Sequence, residues 1–172
     1  LNDADAVVRR GAAQCVGLLG GLLGDDYAFK FAQAAEQQLS NPKAKEEARG
    51  AYALALGRLL QGAPPNPNQL KATMKLLMPL AADASPLVSE WSLHALLGAV
   101  EAASAHAHPH VASCLGLAST VILSDPPPSN RAALVVARLS SALIGALGAS
   151  GDAAAAMQAG GKPASQLAAV IR

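Results

Sequence analysis

Four stretches of this chain can be laid over one another. Val8–Gly17 (VRRGAAQCVG), Ala48–Gly57 (ARGAYALALG), Ser89–Gly98 (SEWSLHALLG) and Val136–Gly145 (VARLSSALIG) each end on a glycine after a run of small and apolar residues. The glycines are 40, 41 and 47 residues apart. Such a period leaves room for two helices and their connections per unit. One helical hairpin cannot bury both of its faces alone, so successive copies must stack and share a core. The constraint is severe: the chain has to be all-α, with the recurring glycine where one helix approaches the next.

The rest of the sequence agrees with helices. Hydrophobic residues make up 52 % and aromatics only 3 %. The core is therefore expected to be built of Ala and Leu, the strongest helix formers, with few β-branched residues to favour strands. Helix starts are signalled by Pro42, Pro67, Pro86, Pro109 and Pro163, since proline fits the first helical position, where its missing N–H has no intrahelical partner anyway. Asn41 and Ser85, just before two of these prolines, are N-cap residues.

Apolar spacing then predicts the elements. A first helix covers about Asp5 to Leu23, with Val8, Ala12, Cys15, Leu19 and Leu22 on its core face. A second covers Tyr27 to Leu39, and a third runs from Asn41-Pro42 to Leu60, with Ala48, Tyr52, Leu56 and Leu59 inward. The fourth begins near Pro67 and carries Leu70, Met74, Leu77 and Met78, with Pro79 kinking it or ending it at about Met78. The fifth is Pro86 to about Ala103. The sixth begins at Pro109 and carries Val111, Leu115, Ala118 and Ile122. The seventh carries Val136, Leu139, Leu143 and Leu147 and ends near Gly148. Residues 149–162 read as an Ala/Gly-rich loop, and Pro163 opens an eighth helix. A period of about 40 residues with two helices per unit is the signature of HEAT or armadillo repeats. The expected fold is an α-solenoid of about four HEAT-like hairpins over 1–148, divided near 1–40, 41–82, 83–125 and 126–172. The apolar run at Arg172 and the start at Leu1 lead us to expect a piece of a longer polypeptide.

The run Ser85-Pro-Leu-Val-Ser-Glu-Trp-Ser-Leu-His-Ala-Leu-Leu97, with Tyr52–Gly57 before it and Ser141–Gly148 after it, resembles a segment of the HEAT repeat-containing protein 5 family. The resemblance spans roughly Val7 to Gly148. It implies a very long, non-catalytic HEAT solenoid that works with clathrin adaptors in traffic between the trans-Golgi network and endosomes. The implied partners are adaptor or coat proteins, and the implied location is cytoplasmic, peripheral at Golgi and endosomal membranes. The family has no catalytic motif to carry over. A structural HEAT subunit of a cytoskeletal or axonemal assembly is the alternative.

Few residues suggest chemistry. The formal net charge is +1, from 13 basic and 12 acidic residues, with no basic stripe to argue for nucleic acid or an anionic membrane. No membrane insertion is expected of Ala12–Leu23, which is shorter than the roughly 20 residues of a span and is followed by Asp25 and Asp26. Cys15 and Cys114 sit in apolar patterns and read as buried, reduced thiols. His106, His108 and His110, with Cys114 four residues on, contain zinc-ligand types but fit no standard zinc spacing, so a solvated loop is expected and no metal. His94 has no nucleophile or orienting acid in sequence around it and reads as a packing residue. Gly160-Gly-Lys-Pro-Ala-Ser165 fails the phosphate-loop pattern because Pro163 follows Lys162. No cofactor, small-molecule substrate or enzymatic activity is expected. What remains is arginine: Arg9, Arg10, Arg49, Arg58, Arg131 and Arg138 recur on the odd-numbered helices and can form a ladder for acidic peptides. The candidate protein-binding residues are Arg9, Arg49, Arg131 and Arg138, with the sole tryptophan, Trp91, as an anchor.

Overall fold

The computed structural model describes residues 1–149 apart from 42 and 64. Among them are α-helices and one 3₁₀ segment, and no strand. The helices are α1 (Ala6–Leu23), α2 (Asp25–Leu39), α3 (Glu46–Gly62), α4 (Pro67–Ala81), α5 (Pro86–Ala103), α6 (Val111–Ile122) and α7 (Asn130–Ala149). The loop and eighth helix expected over 149–172 fall almost wholly outside the described residues, as does Pro42.

Local chemistry explains most of the starts. The Asp5 carboxylate accepts from the Val7 N–H at 2.7 Å and caps α1. Asn66 and Gln69 form a reciprocal capping box, with Pro67 at the first helical position of α4. Ser129 accepts from the Ala132 N–H at 3.1 Å at the start of α7. Gly24, at φ +74°, makes the turn between α1 and α2 in a conformation that L side chains rarely adopt.

The odd-numbered helices pack in chain order: α1 on α3, α3 on α5, α5 on α7. Helices α2, α4 and α6 pack against α3, α5 and α7 respectively. Helices α3 and α5 are thus covered on several sides, and both are buried nearly all round. In α3 the buried set includes Ala51, Ala53, Leu54, Ala55, Leu56, Leu59 and Leu60. In α5, Val88, Leu93, Leu96 and Val100 are at most 1 % exposed. Fully burying one such aliphatic side chain is worth about 1.5–3 kcal/mol, and the core is a single continuous cluster. Small residues set how close the helices come. A Cβ added at Gly17 would lie 2.6 Å from the Arg58 carbonyl oxygen. One at Gly57 would lie 2.8 Å from both the Cβ and the carbonyl oxygen of Ala95 on α5. One at Gly98 would lie 3.0 Å from Gln61 Nε2 on α3. The fourth aligned glycine, Gly145, has nothing within 4 Å.

Several expectations need correction. The core face of α1 is rotated: Arg9, Ala13, Val16, Gly17 and Gly20 are buried, while Val8, Cys15, Leu19 and Leu22 are exposed. Close approach to α3 selected the glycine edge, not the leucine edge. Helix α3 begins at Glu46, not at Asn41-Pro42; Glu46 and Glu47 occupy its first turn, where the helix dipole favours them. Helix α4 continues through Pro79 to Ala81. Pro79 lies in the last turn, so only a carbonyl near the solvated end loses its partner. Finally, Ser104–His110 is a 3₁₀ helix rather than an open loop, and it runs directly into α6 at Val111.

Candidate functional site: an arginine-lined pocket

Arg9 and Arg10 are neighbours, yet an α-helix turns about 100° between them. Arg9 points inward and is 4 % exposed. Its Nη1 donates to the carbonyls of Asp3 and Ala4, each at 2.8 Å, and its guanidinium lies 5.7 Å from the centre of the Trp91 ring. Trp91 is itself buried under that contact. The pair ties the start of α1 to α5. Arg49 is likewise engaged, donating to the Asp83 carboxylate across to the start of α5 at 2.5 Å. Arg9 and Arg49 therefore hold the fold together.

Arg10 points outward. Around it, α1, α3, α5 and α7 enclose a pocket of about 360 Å³. Its cationic wall is Arg10, Arg58 and Arg131, one from each of three helices. Glu90 and His94 come from α5. The apolar lining is Leu54, Trp91, Leu134 and Val135, of which Leu134 is 64 % exposed. Arg58 Nη1 donates to Gln61 Oε1 at 2.7 Å, which fixes the guanidinium, while its Nε is buried and unpaired among the described residues. Arg10 and Arg131 have no hydrogen-bond or ion-pair partner among the described residues. Glu90 accepts from the Ser129 hydroxyl at 3.3 Å. Arg138 pairs with Glu101 at 3.6 Å, with both side chains largely in solvent, a contact worth little.

His94 reports the field of this pocket. Burial pushes its pKa below the usual 6.5; Glu90 opposes that, and Arg58, Arg138 and Arg10 reinforce it. The ring is thus held neutral by desolvation and by the cations of three neighbouring helices. Of the predicted residues, Trp91 and Arg131 meet here, with Arg138 close enough to act on His94. Arg9 and Arg49 do not meet here. His94, a packing residue by its sequence context, belongs to this site. It lies one turn after Glu90 on α5, and that i, i+4 spacing is the only local signal.

A second groove, of about 200 Å³, lies between α2 and α4 with α3 beneath, bordered by Phe29 and Leu76 over Leu56, Leu59 and Leu60. The histidines of the 3₁₀ segment do not assemble a site. Among the described residues no group of three or more His, Cys, Asp or Glu side chains could hold a metal ion. Cys114 is buried, and burial pushes its thiol up to about 11. The Gly160–Ser165 run lies outside the described residues. Helix α1 and residues 130–148 of α7 are long and apolar enough to cross a membrane by length and composition, with 28 % and 39 % of those windows buried against the rest of the fold.

The class these observations define is an all-helical protein whose pocket is lined by arginine and apolar side chains. No protein-family model, curated protein or solved structure matches the chain.

Proposed function

We propose that this chain is a segment of a HEAT-like α-solenoid and acts as a non-catalytic scaffold for other proteins. The observation that carries the reading is the coincidence of sequence period and packing. Gly17, Gly57 and Gly98 recur at one repeat position, and each lies against a neighbouring odd-numbered helix. Stacked repeats offer extended surfaces that run across successive units, and the pocket draws side chains from four successive odd-numbered helices. The resemblance of Ser85–Leu97 to the HEAT repeat-containing protein 5 family favours adaptor or coat proteins as partners, in cytoplasmic traffic between Golgi and endosomes. The alternative is a structural subunit of a cytoskeletal or axonemal assembly.

The experiment is proximity labelling by the parent protein in its own cells, followed by mass spectrometry. Enrichment of adaptor and coat components is the expected result. Enrichment of axonemal or tubulin-associated proteins selects the alternative, and a profile with neither removes both.

A further inference from the structure

We propose that the Arg10–Arg58–Arg131 pocket binds a short acidic segment of a partner protein, with carboxylates on the guanidiniums and an apolar side chain on Leu134. The proposal rests on the protein-binding reading above and names the chemistry of the ligand. Three guanidiniums from three helices converge on one pocket against a single carboxylate, Glu90. Two of them, Arg10 and Arg131, lack any partner among the described residues. Three like charges gathered against one counter-charge repel one another, so their placement around one concavity suits an anion that arrives from outside. Arginine presents a planar fork that takes a carboxylate through paired hydrogen bonds. Exposed Leu134, beside Val135 on the same wall, adds an apolar surface that a simple inorganic anion would leave unused.

His94 makes occupancy measurable. The groups acting on it are Glu90 from its own helix, Arg10 from α1, Arg58 from α3 and Arg138 from α7, and Arg131 from α7 lines the same pocket. A bound carboxylate cancels part of the cationic field and favours the imidazolium. Binding therefore takes up a proton, and affinity rises as pH falls through the histidine range.

The test uses the whole chain and a fluorescein-labelled peptide, Glu-Glu-Asp-Leu-Glu-Glu, read by anisotropy at an ionic strength of about 0.15 M, where exposed charges are screened beyond about 8 Å. Saturable binding is expected, weakened about 10-fold or more by Arg10→Glu with Arg131→Glu. Both residues are exposed, and circular dichroism checks that the variant remains helical. Lys71→Glu with Lys75→Glu makes the same charge change on α4 and should leave affinity within about 2-fold, since a remote surface charge contributes little at this range. His94→Gln should flatten the rise in affinity between neutral and mildly acid pH. Equal loss in both double variants, absence of saturable binding, or tighter binding of single-stranded RNA than of the peptide each overturns the proposal. None of these outcomes bears on the proximity-labelling profile of the parent protein, so the pocket and the scaffold reading fail separately.

Discussion

Replacing Gly57 by alanine is the sharpest test of how α3 and α5 meet. In a solvated helix the change would stabilise by roughly 0.5–1 kcal/mol, because alanine loses less backbone entropy. Here the new methyl would lie 2.8 Å from the Cβ and carbonyl oxygen of Ala95, and closer still to its Cα. Carbon–carbon contacts are at their best near 3.5–4.0 Å, so the gap is short by more than half an ångström, and the obstacle is backbone. No rotamer change can relieve it. The two most buried helices must separate, loosening Leu56, Leu59, Leu93 and Leu96, each at most 2 % exposed. Overpacking of this kind costs about 1–3 kcal/mol, which exceeds the propensity gain. The expected net effect is a loss of up to about 2.5 kcal/mol. Gly98→Ala is the internal comparison. Its closest neighbours are the end of the exposed Gln61 side chain, at 3.0 and 3.1 Å, which can swing aside, and the Gly57 carbonyl oxygen at 3.3 Å, which need give by only a few tenths of an ångström. That variant should stay near the parent. Gly145→Ala meets nothing within 4 Å and should gain the full propensity term. Urea unfolding followed by helical circular dichroism gives the order: Gly57→Ala lowest, Gly98→Ala near the parent, Gly145→Ala highest. If Gly57→Ala is as stable as Gly145→Ala, the helices are not in backbone contact and the role given to the recurring glycine is wrong.

Asn66→Ala removes the side-chain arm of the capping box on α4, while the backbone N–H at position 66 can still donate to Gln69, and should cost about 0.5–2 kcal/mol in the same assay. Maleimide at neutral pH should label Cys15, which is exposed, while Cys114 reacts only after unfolding. The Cys114 thiol ionises at about 11 in the fold against 9.0 as its ordinary value, so it binds its proton more tightly when folded. Its contribution is constant below about pH 9 and is lost as pH rises toward 11; Cys114→Ala should flatten that alkaline decline. His94 has the opposite sign. Its folded pKa lies below 6.5, so the unfolded chain takes up its proton first and stability falls as pH drops below that value. His94→Gln should remove part of this acid-side loss, measured as melting temperature against pH.

The helices were legible because their signals are local. Asp5, Asn66 with Gln69, and Ser129 cap from side chains a few residues away, and Pro67 and Pro86 stand at helix starts in sequence and structure alike. The all-helical class followed from an Ala/Leu composition and from the glycine period, both fully present in the sequence. Which edge of α1 turns inward was a different matter. Its leucines and its glycines lie on neighbouring edges, and hydrophobicity favours the leucines. Only contact with α3 makes the absence of a side chain more valuable than its presence, so Gly17 and Gly20 went in and Leu19 and Leu22 stayed out. The same cause separates Arg9 from Arg10: the residue types are identical, and the turn of α1 set by that contact puts one on Trp91 and the other in the pocket. The pocket itself joins residues up to 125 positions apart in the chain, from Arg10 to Val135. A period along the sequence can say that helices stack, whereas the rotation of each helix about its axis is set by its neighbours, and that rotation decides which charges meet.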